Sequence, residues 1–426
     1  EQAYESKLSA WMTPVETFSP HYSHALARYI AREAKAAARP ARNRASPAAR
    51  KTHGTQKGAT HSVGAEPLVL YEAGGGTGTN ALNVLNWLRR EEPKLYERTE
   101  YTIVEISERL AERQKERVCA VHENCRVVNA NVLEWGMSGE ADPRPCFFLG
   151  MELLDNLPHD KIAWTTPSLG PNGDALSPPA DSSNKEMCEA VVLQTSSSFR
   201  EAFRPLRDPA IRELLTLCPE LAEMVRKPGQ PTTGAGGDGG NFLGKTLAGL
   251  FGSVVRPEYH AAFVPTGAFR LFQALHRRLP RHRAILADFD SFAGSGETRA
   301  ECPCGDAAAV GGGRGNDESL MAFQAPIVSS RNPETGVVVD HATYMVDLGT
   351  ADIFFPTSFK RLSRLHAAVC GTGGVGVRRG AGLVVKQAEF LREFADLRAT
   401  RTFSGFNPLV DDFRNSSVFV SGALVA

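Results

Sequence analysis

The sequence predicts an α/β protein built on an open, Rossmann-like parallel sheet, and three observations predict it. An apolar strand at residues 69–73 runs into the turn Gly74-Gly75-Gly76-Thr77-Gly78, and a helix from about Thr79 to Arg90 follows. Further apolar strands recur at 101–107, 126–132 and 146–152, each with a polar tip. The 426 residues leave room for one large α/β domain with insertions, or for two domains. In open α/β sheets ligands lie outside the carboxyl ends of the strands, so these tips form the candidate site.

The glycine turn comes first. Glu72, Gly74, Gly76 and Gly78 spell acidic-x-Gly-x-Gly-x-Gly. Glycines let the main chain take a positive φ and let a ligand lie against bare backbone. The dinucleotide spacing G-x-G-x-x-G is not met, because Thr79 occupies its sixth position. The spacing that is met is that of class I methyltransferases, so the expected cofactor is S-adenosylmethionine (SAM). Gly74, Gly76 and Gly78 would hold its amino-acid end. Glu72 would orient the turn or accept from the cofactor's ammonium.

The remaining strand tips extend the same pocket. Glu105 closes the second strand, where an acid accepts from both ribose hydroxyls. Asn131 ends the third, beside the adenine, at a place where an acid is common. The fourth ends in Glu152, with Asp155 three residues on. A helix is expected at 264–280. A fifth core strand at 283–289 carries Asp288 and Asp290 at its tip. Further strands and a helix are expected at 335–348 and 352–366, a short piece at 382–386, a helix at 386–397 and a final strand at 417–420.

Around this core the organisation follows from punctuation. Residues 1–35 read as an N-terminal segment of one or two amphipathic helices, with Tyr22, Leu26, Tyr29 and Ile30 on one face. Residues 36–66 read as a linker; from Lys35 to Lys57 there are seven Lys or Arg and no acid. The plain reading of that run is a solvated loop; contact with RNA or an acidic partner is the functional alternative. The methyltransferase-like domain then spans 67–426, with low-complexity inserts at 165–187, 228–240 and 293–317 that cannot bury enough apolar area to fold alone.

Composition excludes several classes. Lys plus Arg and Asp plus Glu are both 48, so no broad basic surface for nucleic acid is expected. No apolar run reaches 18 residues, so no transmembrane helix is expected. The eight cysteines have no disulfide-like spacing. Cys302 and Cys304 form a lone C-x-C without partners at finger spacing, so no metal is expected. Gly239, Gly244, Lys245 and Thr246 meet the P-loop spacing, but a Gly/Pro/Thr stretch stands where a buried strand is required. A start at Glu1 fits a removed targeting segment, among other origins.

Several segments together resemble a known family: 18–30, 71–80, 104–107 and 151–160, followed by 263–266, 286–291, 324–328, 343–346 and 352–357. They are similar to the MidA-like SAM-dependent methyltransferases, in the longer branch seen in fungi and protists. The resemblance covers most of 15–420 outside the inserts and the linker. It implies a seven-stranded class I methyltransferase fold and a location in the mitochondrial matrix. It further implies a protein arginine as methyl acceptor, on a core subunit of respiratory complex I as in the animal member, in aid of that complex's assembly. By the same resemblance Glu152 and Asp155 are the catalytic carboxylates at the methyl-transfer end. His159, in the loop beyond them, reads either as a proton acceptor or as a structural residue. The alternative function is a retired methyltransferase fold kept as a structural subunit of a respiratory complex or the mitoribosome, with the basic 35–57 loop as its docking arm.

Overall fold

A computed structural model describes residues 13–38, 66–170, 184–195, 198–226, 260–292, 326–332, 335–371 and 382–422. The P-loop-like run 239–246, the C-x-C at Cys302, the inserts at 228–240 and 293–317 and most of the 36–66 linker lie outside these residues.

The organising element is a seven-stranded sheet. Its strands are β1 (Leu68–Ala73), β2 (Thr99–Glu105), β3 (Cys125–Asn129), β4 (Cys146–Met151), β9 (His282–Phe289), β13 (Leu383–Lys386) and β14 (Ser416–Val420). They lie in the order β13-β14-β9-β4-β1-β2-β3. β14 is antiparallel to both neighbours, and the pairings among β9, β4, β1, β2 and β3 are parallel. The chain moves outward one way through β2 and β3, then the other way through β4, which makes β1/β4 the switch point where a ligand crevice opens. β1 is buried along its whole length, as a central parallel strand covered on both faces must be.

Alternation along the strands separates two cores. Leu68 and Leu70 face one layer, with α2 (His21–Ala37), α3 (Thr79–Glu91) and α11 (Gln387–Phe394). Val69 and Tyr71 face the other, with α7 (Pro209–Leu217), α9 (Thr266–Arg278) and α10 (Phe359–Cys370). Shorter helices are α1 (Pro14–Thr17), α4 (Pro93–Tyr96), α5 (Glu108–Gln114), α6 (Val132–Met137) and α8 (Pro219–Arg226). The apolar face foreseen for the N-terminal segment is buried: Tyr22, Leu26, Tyr29 and Ile30 all join the first core. Arg28 Nη1 donates to the Phe394 carbonyl at 2.9 Å, and Arg283 Nη1 pairs with Glu33 at 2.8 Å, which fixes α2 to both α11 and β9.

Two antiparallel sheets complete the fold, and of these only strands within 335–348 and 352–366 were expected. β5 (Asp160–Thr165), β6 (Glu186–Gln194), β7 (Phe199–Pro205) and β8 (His260–Val264) pair in the order β7-β6-β5-β8. β10 (Ile327–Arg331), β11 (Val338–Asp340) and β12 (Asp352–Phe354) pair as β11-β10-β12. The insert expected over 165–187 is correspondingly shorter, since Thr165 ends β5 and Glu186 and Met187 begin β6. Third-strand pairing likewise stops at Asn129, and Asn131 caps α6.

Candidate active site

The glycine turn sits at the end of β1. Gly74, Gly76 and Gly78 have φ of 67°, 52° and 82°, which side chains other than glycine rarely adopt. The turn closes by a hydrogen bond from Gly78 N to Gly75 O at 2.8 Å, and α3 starts at once. A Cβ on Gly78 would strike Val118 Cγ2 at 2.8 Å, whereas one on Gly76 would meet nothing within 4 Å. Gly78 is therefore required by packing behind the turn. Gly76 presents bare backbone to open space, which is what a cofactor cradle needs.

Glu72 is 2% exposed, and both its oxygens are engaged inside the fold. Oε1 accepts from Asn80 Nδ2 at 2.9 Å and Oε2 from the Tyr101 hydroxyl at 2.8 Å. Burial pushes its carboxyl above the usual range against these two bonds. Of its two expected roles, this geometry supplies the orienting one: Glu72 ties β1 to the first turn of α3.

Glu105 ends β2 and is 3% exposed. Its Oε1 accepts from Ser107 N at 3.0 Å and its Oε2 from Gln114 Nε2 at 3.1 Å. Gln114 Nε2 also donates to the Gly76 carbonyl at 2.9 Å, so one amide couples the turn to the acid. Gln114 Oε1 is buried without a hydrogen-bond partner. Sequence reasoning missed Gln114; the available signal was one polar residue on the apolar stripe Leu110, Ala111, Gln114 and Val118. Asn131 Oδ1 accepts from Leu133 N at 3.0 Å, which caps α6 beside the β3 end.

The N-terminal region also reaches this turn. Glu16 on α1 accepts from the Thr77 and Thr79 hydroxyls. Arg117 Nη1 donates to Thr77 O at 3.1 Å, to Thr77 Oγ1 at 2.7 Å and to Thr79 Oγ1 at 2.9 Å. Neither residue carries a motif, and no sequence signal marked them.

At the end of β4 three carboxylates interact. Glu152 has φ of 50°, the one positive value at a non-glycine residue among those described. Its N–H donates to the Ala287 carbonyl at 2.8 Å, which extends the β4/β9 pairing into the turn. Asp288, at the tip of β9 and 1% exposed, anchors the turn beyond Glu152. Its Oδ2 accepts from Leu154 N at 2.8 Å and Asp155 N at 3.2 Å, and its Oδ1 from Phe289 N at 2.7 Å. Asp155 Oδ1 accepts from Asn156 Nδ2 at 2.8 Å.

Electrostatically this is a strained acidic cluster. Burial, then the charge of Asp155, pushes Glu152 up to about 8. Burial raises Asp155 to about 6. Burial and the charge of Asp155 hold Asp288 well above the carboxylate range. Tyr22 on α2 is close enough that Glu152 and Asp288 help burial raise its phenol, and its hydroxyl donates to Gln387 Oε1 on α11 at 3.0 Å. Among the described residues no basic side chain pairs with Glu152 or Asp155. A cation entering here would relieve mutual repulsion and donate charge-assisted hydrogen bonds.

Beyond the acids lies an aromatic wall. His159 stacks on Phe355 with ring centroids 4.0 Å apart, its Nδ1 lies 2.9 Å from the Leu157 carbonyl, and burial lowers it to about 4. Phe263 continues this wall into a cavity of about 410 Å³ between the two small sheets. There Lys161 Nζ pairs with Glu201 at 2.9 Å, close to the rings of Phe203, Phe263 and Tyr344.

A family described as "Putative S-adenosyl-L-methionine-dependent methyltransferase" matches residues 53–377. No curated protein matches the chain. Among solved structures the fold is similar to that of a Burkholderia thailandensis protein described as a "likely methyl transferase" and bound to S-adenosyl-homocysteine. Identity there is 16% and the TM-score 0.52, over 97% of this chain and 80% of that one. A native structure of an uncharacterized protein from the same bacterium shares 16% identity with a TM-score of 0.48, over 99% of this chain and 86% of that one.

Proposed function

The chain belongs to this family of SAM-dependent methyltransferases, and we propose that it methylates an arginine side chain of a protein in the mitochondrial matrix. The observation that carries the choice of acceptor is the acidic turn at β4, where Glu152 and Asp155 lie beside buried Asp288 with no cation paired to them among the described residues. A guanidinium is planar, always charged and suited to paired carboxylates. The matrix location, and a core subunit of respiratory complex I as the protein, rest on the resemblance of segments such as 18–30 and 151–160 to MidA-like enzymes.

The residues at the β1 and β2 ends fit the cofactor. Gly76 offers open backbone, Glu105 is a fixed acceptor, and Gln114 Oε1 is a buried acceptor without a partner. When bound, the cofactor supplies a methyl activated on a sulfonium, so the protein's task is chiefly to position the acceptor. Glu152 and Asp155 would hold the guanidinium and concentrate its charge away from the attacking nitrogen. The arginine keeps a charge of +1 after transfer, so one N–H proton must leave. The guanidinium would keep Glu152 ionised, which leaves its carboxylate placed to accept that proton.

The test is transfer of a labelled methyl from SAM to isolated complex I core subunits, with the labelled residue identified by mass spectrometry. Label on arginine, lost in Glu152→Gln while SAM still binds, supports the reading. Label on lysine or a carboxylate, or full transfer by Glu152→Gln, sinks it.

A further inference from the structure

At the other end of β9 from the acids, three side chains converge that the reaction does not use. His282 opens β9, while His366 and Cys370 lie one helical turn apart on α10. All three are buried, at 1%, 3% and 3% exposure. Their ligand atoms lie within 4.8 Å of one another.

The detail of the two imidazoles goes further than proximity. His282 Nε2 and His366 Nε2 are 3.2 Å apart. A metal ion bound at about 2.0–2.1 Å to each, with a near-tetrahedral angle between them, holds two nitrogens about 3.3 Å apart. His282 Nδ1 lies 2.7 Å from the Leu279 carbonyl. A carbonyl only accepts, so Nδ1 carries the proton and Nε2 presents its lone pair to His366. That outer hydrogen bond is the one that orients metal-binding histidines. His366 is enclosed by the rings of Phe272 and Phe419, at 5.0 and 5.2 Å between centroids. Cys370 Sγ lies 3.6 Å from the Phe272 carbonyl.

We propose that His282, His366 and Cys370 bind one thiophilic closed-shell ion, Cu(I) or Zn(II), which ties α10 to the start of β9. Soft sulfur with two imidazoles is a donor set both ions accept. Three donors complete a Cu(I) site, whereas Zn(II) takes a fourth. Loading releases the thiol proton of Cys370 and requires His366 to keep its ring proton on Nδ1. Asp288 lies six steps along the strand from His282, about 20 Å at ordinary strand rise, so the ion holds the fold and takes no part in methyl transfer. Without an ion the same atoms would form an imidazole–imidazole hydrogen bond, and the experiment separates the two.

The full chain is refolded with Zn(II), and separately with Cu(I) under reducing conditions, then freed of loose metal and analysed by elemental mass spectrometry. The expected result is about one equivalent per chain, lost in Cys370→Ser and kept in a Cys302→Ser/Cys304→Ser double variant. The ion retained identifies the metal. Refolding with Co(II) should give a thiolate charge-transfer band that Cys370→Ser lacks, and circular dichroism checks that the variant is folded. The melting temperature should rise on loading in wild type and stay fixed in His366→Phe. No metal on wild type, or equal metal on Cys370→Ser, overturns the proposal.

Discussion

Glu152 combines a left-handed backbone, a buried carboxyl and a second acid beside it. A non-glycine residue held at positive φ costs on the order of 1–3 kcal/mol and persists where the surroundings impose it. Here the bond to Ala287 and the Asp288-anchored turn impose it. A carboxyl whose folded pKa is raised binds protons more tightly when folded. Its contribution to stability is therefore full below the ordinary carboxylate pKa and is lost as pH rises through about 8. Glu152→Gln removes that loss, so its melting temperature should exceed wild type at pH 8.5 and converge with it near pH 4. A wild-type advantage at pH 8.5 would refute the assignment. For the acceptor the sign is reversed: a bound guanidinium favours the ionised acids, so KM for an arginine peptide should fall between pH 6.5 and 8.5. At Gly76, valine fills the open cradle and cannot adopt its φ without strain, so SAM affinity measured by calorimetry should drop about 100-fold or more. At this scale the sequence was legible where spacing alone carries chemistry, at the glycines and at strand tips such as Glu105. It was silent on Gln114, Glu16 and the φ of Glu152, because those depend on what the fold sets beside them.

Among elements, α6 and α9 pack closely. A Cβ on Gly136 would meet Ala274 Cβ at 2.4 Å and its Cα at 3.0 Å, so the two backbones touch with no room between. Gly136→Leu should wedge α6 from α9 and cost about 1–3 kcal/mol in denaturant unfolding. Because Asn131 caps α6, the variant should also disturb the β3 end. Long periodic elements were readable in advance. The helix expected at 264–280 forms at Thr266–Arg278, and the strand expected at 283–289 forms at His282–Phe289. Strands were expected at 335–348 and 352–366, where β11 and β12 form, but the four-stranded sheet escaped notice because β5 and β6 pair across a stretch whose composition reads as one insert. β8 stands nearly a hundred residues from β5 in the chain, and periodicity holds no information about such a pairing. The His282–His366 contact was hidden for the same reason.

For the whole molecule, the N-terminal helix is as much a part of the core as the sheet. Leu26 and Ile30 are 2% and 0% exposed. Leu26→Ala should therefore cost about 2–5 kcal/mol, a core value rather than that of a peripheral arm. An unfolding midpoint within error of wild type would show α2 to be dispensable. The open parallel sheet was foreseen because the glycine turn and strand tips recur in order along 69–152, while its seven strands were expected only from the resemblance to MidA-like enzymes. The same helix has a consequence in time. Its partners Phe390 and Phe394 come from the last tenth of the chain, and the Tyr22 hydroxyl meets Gln387 across 365 positions of sequence. Loops of that length close late, so α2 can settle on α3 early while its contacts with α11 must wait. The Tyr22–Gln387 brace beside the acidic turn therefore forms late, and a chain cut short before Gln387 holds Glu152 and Asp155 without it.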